Sequence, residues 1–410
     1  MSETEHTSLK KAKARSERRR MLISMALVLP LALFLLVTFL APLYEILSQS
    51  VRDEEVGRIW PRVSVALADW NGTVPEEPVF AALAADMKAS QAEKTTALAS
   101  RRLNYALSGG RTLISSTARK IAGLEAKPEN GWKQEFISLN AAWDDAETWQ
   151  AIYQASGPVS TFYLLAAFDR KMNARGEIVQ APKENRIYLA ILLRTFTVAA
   201  TVTAICLLLA FPVAYFLANG PKRAAALVMV LVLLPLWTSL LVRTAAWVVL
   251  LQDQGLINKA LEAMHLISGP LPLIFNRVGV VIAMVHVSLP YMVLPIYATM
   301  AAIKPEYMRA AISLGAKPRT AFRRIYLPLT SPGLAAGTLL VFIMSLGYYI
   351  TPALVGGASD QMVSYFISYY TTDAVNWGLA GALAAILILA TALLYLVYSK
   401  LTSAKGVSFG

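Results

Sequence analysis

Six stretches of this chain are long and apolar enough to cross a lipid bilayer, and they decide what it can fold into. They run from Met21 to Tyr44, Thr195 to Pro221, Ala224 to Gln252, Val278 to Ile303, Ile325 to Ser359 and Ala374 to Ser399, and Arg243 is the one charged residue in them. A hydrocarbon core about 30 Å thick needs about 20 residues at a rise of about 1.5 Å each. Lipid offers the backbone no hydrogen-bond partner, so each crossing must be a helix. The first stretch is too long for a secretory signal and lacks a small-x-small site before Glu45, which makes it a retained helix. In the fifth, Pro328 and Pro332 precede an uninterrupted apolar run, so a helix is predicted from near Ser331 to before Pro352. The predicted fold class is an all-α polytopic membrane protein with six transmembrane helices.

Charge supplies the orientation. The chain has 56% hydrophobic and 16% charged residues and a net charge of +12, where an ordinary soluble domain carries about 25% charged residues. In a soluble protein such a charge would suggest nucleic acid, but its placement shows another cause. Residues 1–20 hold seven basic side chains against three acids, and 303–331 hold six against Glu306. Lys222, Arg223, Lys400 and Lys405 lie on that same side, whereas residues 48–187 balance 17 basic against 17 acidic side chains. The excess is a positive-inside signal, so both termini are expected in the cytoplasm and nucleic acid is not needed as a partner.

The resulting division is a basic cytoplasmic tail at 1–20, a first span at 21–47, an extracytoplasmic insertion at 48–187, a five-helix core at 188–400 and a tail at 401–410. The tail at 1–20 reads as a solvated, irregular arm beside anionic lipid. In the insertion, Val79–Leu107 and Trp132–Gln154 place apolar residues at three- and four-residue spacing, as in Phe80, Leu83, Ala84 and Met87, which predicts amphipathic helices.

Catalytic patterns are missing. His6, His265 and His286 form no metal-ligand pair, and there is no nucleophile elbow and no phosphate-binding Gly-rich loop. The lone Cys206 cannot build a disulfide framework. His286 reads better as a helix–helix hydrogen bond than as a proton relay. No enzymatic activity, metal or bound cofactor is expected of this chain.

The most informative segment is the loop at 303–331. Pro305 suits the first turn of a helix, Glu306 complements its N-terminal dipole end, and Gly315 suits a left-handed cap. Pro318 suits the start of a second helix, which Pro328 is expected to end. A short helix held along the membrane, with Ala310 and Ala311 on one face, offers a close-packing contact to a soluble partner. The pattern Arg309-Ala310-Ala311, three residues, Gly315, then Ile325-Tyr326-Leu327-Pro328 resembles the coupling loop of binding-protein-dependent ABC importer permeases, with Arg309 where that family usually has glutamate. Glu306, one turn earlier, is placed to pair with Arg309. Leu234–Trp247, Val285–Pro295 and Ser345–Gly357 look like the spermidine/putrescine branch of that family.

The resemblance covers about residues 188–400 and the first span, and implies a type I ABC permease fold with the insertion between the first and second spans. It implies ATPase coupling through Glu306, Tyr307, Met308, Arg309, Ala310, Ala311, Gly315 and Ala316. It implies as partners ATP-binding cassette subunits carrying ATP and Mg, a second homologous permease subunit favoured as a heterodimer, a periplasmic solute-binding protein and the bacterial inner membrane. A substrate pathway or gate is expected among Trp237, Thr238, Ser239, Arg243, Trp247, Tyr291, Tyr348 and Tyr349, with Trp377 as a further aromatic. Counted along a continuous helix from Ala224, Arg243 stands about 28 Å up, near the outer interface, where it can snorkel or gate. A polyamine is the expected solute, with opines and amino-acid-like solutes as alternatives. A proton-coupled secondary transporter and a membrane-tethered sensor or scaffold are the readings from other classes.

Overall fold

The computed structural model describes residues 3–403, so the end of the tail expected at 401–410 lies outside the described residues. Six helical stretches in it are long and apolar enough to cross a membrane: Arg19–Ser48, Lys183–Asn219, Leu240–Ala263, Arg277–Ala301, Pro318–Leu346 and Trp377–Lys400. The chain is thus an all-α polytopic membrane protein.

The fourth span, Arg277–Ala301, is the centre of the bundle, with 61% of its most apolar window buried. Asn276 caps it by accepting the Gly279 N–H at 3.0 Å. The fifth span packs on it through Gly333 and Gly337. A Cβ at Gly333 would stand 2.6 Å from the Pro295 carbonyl oxygen, and one at Gly337 would stand 3.1 Å from that of Met292. Without a hydrophobic force between helices in lipid, this small-xxx-small spacing lets two backbones approach until dispersion holds them.

Three expectations about the spans are corrected. The backbone is helical from Glu3, so the described part of the basic arm, 3–20, continues the first span instead of standing as an irregular tail; its Lys, Arg, Glu and Ala are strong helix formers. Pro328 does not end the second loop helix, and the fifth span does not begin at Ser331. Pro318–Ala321, a π-turn at Phe322–Tyr326 and Leu327–Leu346 run on without a break. A proline clashes with the carbonyl four residues before it, and for Pro328 that residue is Arg324, inside the widened turn that relieves the clash. The third apolar stretch is not one helix. Lys222–Leu233 ends in a 3₁₀ turn at Leu234–Trp237, Thr238 and Ser239 are extended, and Leu240–Leu251 starts anew with Ser239 accepting the Val242 N–H at 3.2 Å.

The insertion has its own core of Trp60, Phe80, Phe136, Trp143 and Trp149, all fully buried. Phe80 meets Trp149 edge-on at 4.7 Å, and Phe136 meets Trp143 at 5.0 Å, a geometry worth about 0.5–1.5 kcal/mol beyond area burial. Each indole N–H has a partner, on Ser90, Thr117 and the Trp143 carbonyl. Phe80, Leu83, Ala84 and Met87 all face this core. The two long amphipathic segments are each divided: Glu77–Ala92 and Thr96–Asn104 turn at Lys94, whose φ is 59°, and Gly131–Leu139 and Ala146–Ser156 turn at the Asp145 cap. Two three-residue strands, Arg170–Met172 and Ile178–Gln180, form a hairpin that the helical periodicity did not show.

The insertion is tied to the bundle by specific contacts. Asp169, at φ 56°, accepts the N–H groups of Tyr188 and Leu189 at 2.9 and 3.0 Å and so caps the second span. Tyr105 donates to the Ala374 carbonyl at 3.0 Å. Within the insertion, Asp53 and Arg102 make a buried bidentate ion pair, with the guanidinium 4.3 Å from the Phe162 ring centroid. Burial opposes the charge on Arg102, but Tyr163 and Asp53 outweigh it and hold the guanidinium above its ordinary pKa.

Candidate functional site

At the end of the bundle away from the insertion, Pro305–Ser313 forms a short helix with Pro305 in its first turn. Gly315, at φ +89°, closes it: its N–H reaches the Ile312 carbonyl at 2.9 Å and the Ala316 N–H reaches that of Ala311 at 3.0 Å. These two bonds make a Schellman cap, which an L side chain at 315 would strain. Ala311 is buried and Met308 packs on the bundle, so one face of the helix is anchored. The other face is open, with Tyr307 51% and Leu314 89% exposed and Ala310 and Arg309 exposed beside them. Glu306 and Arg309 form no ion pair, in contrast to the expected one. Both are exposed, and an exposed pair gains too little to hold two long side chains together.

A second group of polar side chains lies inside the bundle, where the third span is broken. The break removes the basis for counting Arg243 up a continuous helix. Trp247 donates to His286 Nδ1 at 3.0 Å, and His286 lies nine residues, or about 14 Å, along the fourth span from its insertion end. Arg243 is one turn farther from that end than Trp247, which puts it near the middle of a 25-residue helix rather than at an interface. Its Nη2 donates to the Thr238 carbonyl at 3.0 Å, across the break, while Nε and Nη1 are buried with no acceptor among the described residues. An intramembrane guanidinium with spare donors is costly unless a ligand or a second conformation uses them.

Of the pathway residues expected from sequence, the structure brings Arg243, Trp247, Tyr291 and Tyr348 to one region. Tyr348 is buried in a core against which Tyr291 packs, and its hydroxyl, like that of Ser288, has no hydrogen-bond partner among the described residues. Thr238 and Ser239 border it through the break. Trp237 is 75% exposed on the bundle surface, Tyr349 turns to Tyr365, and Trp377 stands beside the insertion. Sequence reading missed Thr244, Ser288, Ser345 and Thr351. All four are fully buried, and Thr244 and Thr351 share a hydrogen bond at 3.3 Å. In the sequence they look like Thr203, which bonds back to its own helix at the Ala199 carbonyl.

The pattern of the family described as binding-protein-dependent transport system inner membrane component matches residues 207–403. The chain is 32% identical over 212 residues to the spermidine/putrescine transport system permease protein PotB of Escherichia coli, covering 52% of this chain and 77% of that protein. It is 34% identical over 228 residues to the inner membrane ABC transporter permease protein YdcU of Escherichia coli, covering 51% and 70%. It is 32% identical over 208 residues to the molybdenum transport system permease protein ModB of Mycobacterium bovis, covering 50% and 76%.

Proposed function

The chain belongs to the binding-protein-dependent transport system inner membrane components, and from that premise we propose that it carries a polyamine through an ATP-driven importer of which it is one permease subunit. The observation that supports the polyamine reading is the 32% identity to the PotB permease over about half the chain. In this reading the chain hydrolyses nothing and binds no cofactor; ATP and Mg belong to the cassette subunits. The termini and Pro305–Ser313 face the cytoplasm, and the insertion faces the periplasm and orients the solute-binding protein.

The short loop helix supplies the coupling. Its buried face fixes it to the bundle and its Schellman cap sets its length, so a push on Tyr307, Ala310 and Leu314 moves the bundle instead of bending the loop. ATP closes the cassette dimer, draws the coupling helices of the two permease subunits together and biases the bundle toward the outward-facing state. That bias equals the difference in ATP's affinity for the two states. A second permease subunit, homologous and not identical, completes the pathway.

One observation favours a second cargo class. The spare Nε and Nη1 donors of Arg243 fit an acceptor-rich solute such as an opine or amino-acid-like molecule better than a polycation. Uptake of labelled putrescine by cells with and without this chain separates the two, and loss of uptake without it supports the polyamine. Undiminished putrescine uptake would retire the polyamine reading and leave the permease assignment standing. Purification of the tagged chain from native membranes should recover a P-loop ATPase and a second six-span protein.

A further inference from the structure

At the junction of the first and last spans with the insertion lies a cavity of about 640 Å³, within the range of small-molecule sites. Arg52, Arg58 and Arg101 line it together with Glu45, Asp53, Glu54 and Glu55, so both signs are present. Each arginine is paired, Arg52 to Glu45 at 3.4 Å, Arg101 to Glu55 at 3.0 Å and Arg58 to Glu54, but each uses one terminal nitrogen for it. A guanidinium has five N–H donors and a carboxylate about four acceptor positions, so both signs keep free valence toward the cavity.

A second, mostly apolar groove of about 380 Å³ adjoins it, walled by Pro42, Ile46 and again Glu45, Gln49 and Trp377. The groove runs along the first span, whose membrane-crossing stretch ends at Ser48, and faces the start of the last, at Trp377. Indole rings settle at the level of lipid headgroups, and Trp377 is 45% exposed at that level. A polar chamber lined by both signs of charge thus shares Glu45, Gln49 and Trp377 with an apolar trough beside it.

We propose that this pair of cavities is a binding site for a zwitterionic phospholipid with a phosphoethanolamine headgroup. The phosphate takes the spare donors of Arg52, Arg58 and Arg101, and the ammonium takes Glu45 and Glu54. One acyl chain lies along Ile46 and Pro42. A purely anionic lipid has no cation to offer Glu45 and Glu54, and a choline headgroup cannot donate hydrogen bonds to them. Because Tyr105 and Tyr163 line the same chamber and hold the insertion to the last span, a bound lipid wedges that joint from the membrane side.

The test is native mass spectrometry of the full chain, purified with its partner subunits and exchanged into vesicles of equal phosphatidylethanolamine, phosphatidylglycerol and phosphatidylcholine. Phosphatidylethanolamine should stay bound through delipidation. R52Q with R58Q should weaken its retention by about tenfold, the effect of losing charge-assisted hydrogen bonds. E45K with E54K should reverse the preference toward phosphatidylglycerol, which a merely damaged fold could not do. Equal retention of all three lipids, or an unchanged preference in E45K with E54K, would overturn the proposal.

Discussion

Tyr163 of the insertion occupies the space that any side chain at Gly378 of the last span would need. A Cβ at 378 would stand 2.3 Å from Tyr163 Cε2, a separation no real Cβ tolerates. The joint between the insertion and the bundle therefore depends on a residue with no side chain. G378V should force them apart at a cost of about 1–3 kcal/mol, seen as faster proteolysis in the insertion. Y163A added to G378V should recover part of the loss. If proteolysis is the same in G378V and the unaltered chain, the joint is not held there.

Gly315 is the second position where a side chain should do specific harm. At φ +89° a β-branched residue is strained by about 1–2 kcal/mol, enough to unwind a three-turn helix end. G315V should leave the chain in the membrane and bound to its ATPase while solute uptake falls. G315N, which tolerates that conformation better, should retain more uptake. Equal uptake in G315V and the unaltered chain would remove the loop from the coupling role.

The Asp53–Arg102 pair is buried on both sides, with side chains 2% and 1% exposed. Removing one partner strands the other charge, and D53N should lower stability by about 3–5 kcal/mol. Replacing both by apolar residues of similar volume should cost much less. Thermal melts of the two variants decide between a stabilising pair and a merely satisfied one.

Glu77 gives the insertion a pH dependence. Burial opposes its charge, but the N–H groups of Lys133 and Trp132 and the Lys127 ammonium outweigh that and hold it below its ordinary value of 4.5. A depressed carboxylate adds stability that is present above the ordinary value and lost as pH falls through the folded one. E77Q should therefore melt below the unaltered chain at pH 7, with the gap closing below about pH 4. A gap that persists to pH 3 would mean that Glu77 acts only as a neutral acceptor.

Arg243 bridges the break in the third span through the Thr238 carbonyl. R243A should reduce uptake by tenfold or more, because it frees a carbonyl inside the bundle and removes a buried charge whose spare donors have no other partner among the described residues. R243K should recover little, since an ammonium cannot reproduce the fork geometry. Membrane levels of the protein, measured alongside, separate this from misfolding.

The six spans, the loop helix and its cap were legible in the sequence, and for one reason. Each depends on chemistry local to the chain: about 20 apolar residues in lipid, a proline in a first turn, a glycine at a left-handed cap. The break at Thr238 and Ser239 lies inside an apolar stretch of spanning length that hides it, although Pro235 and the capping Ser239 mark it locally. Contacts such as Trp247 to His286 and Thr244 to Thr351 compensate what an interrupted ladder loses. Pro328 misled in the opposite direction, since a π-turn absorbs its clash where local rules place a helix end. Apolar run length and charge placement thus determined the membrane class, and local capping chemistry the loop helix. Only the tertiary structure decided that Arg243 stands mid-bundle, that Asp169 caps the second span and that Tyr163 fills the place of a side chain at Gly378, because each joins residues whose proximity no local energy specifies.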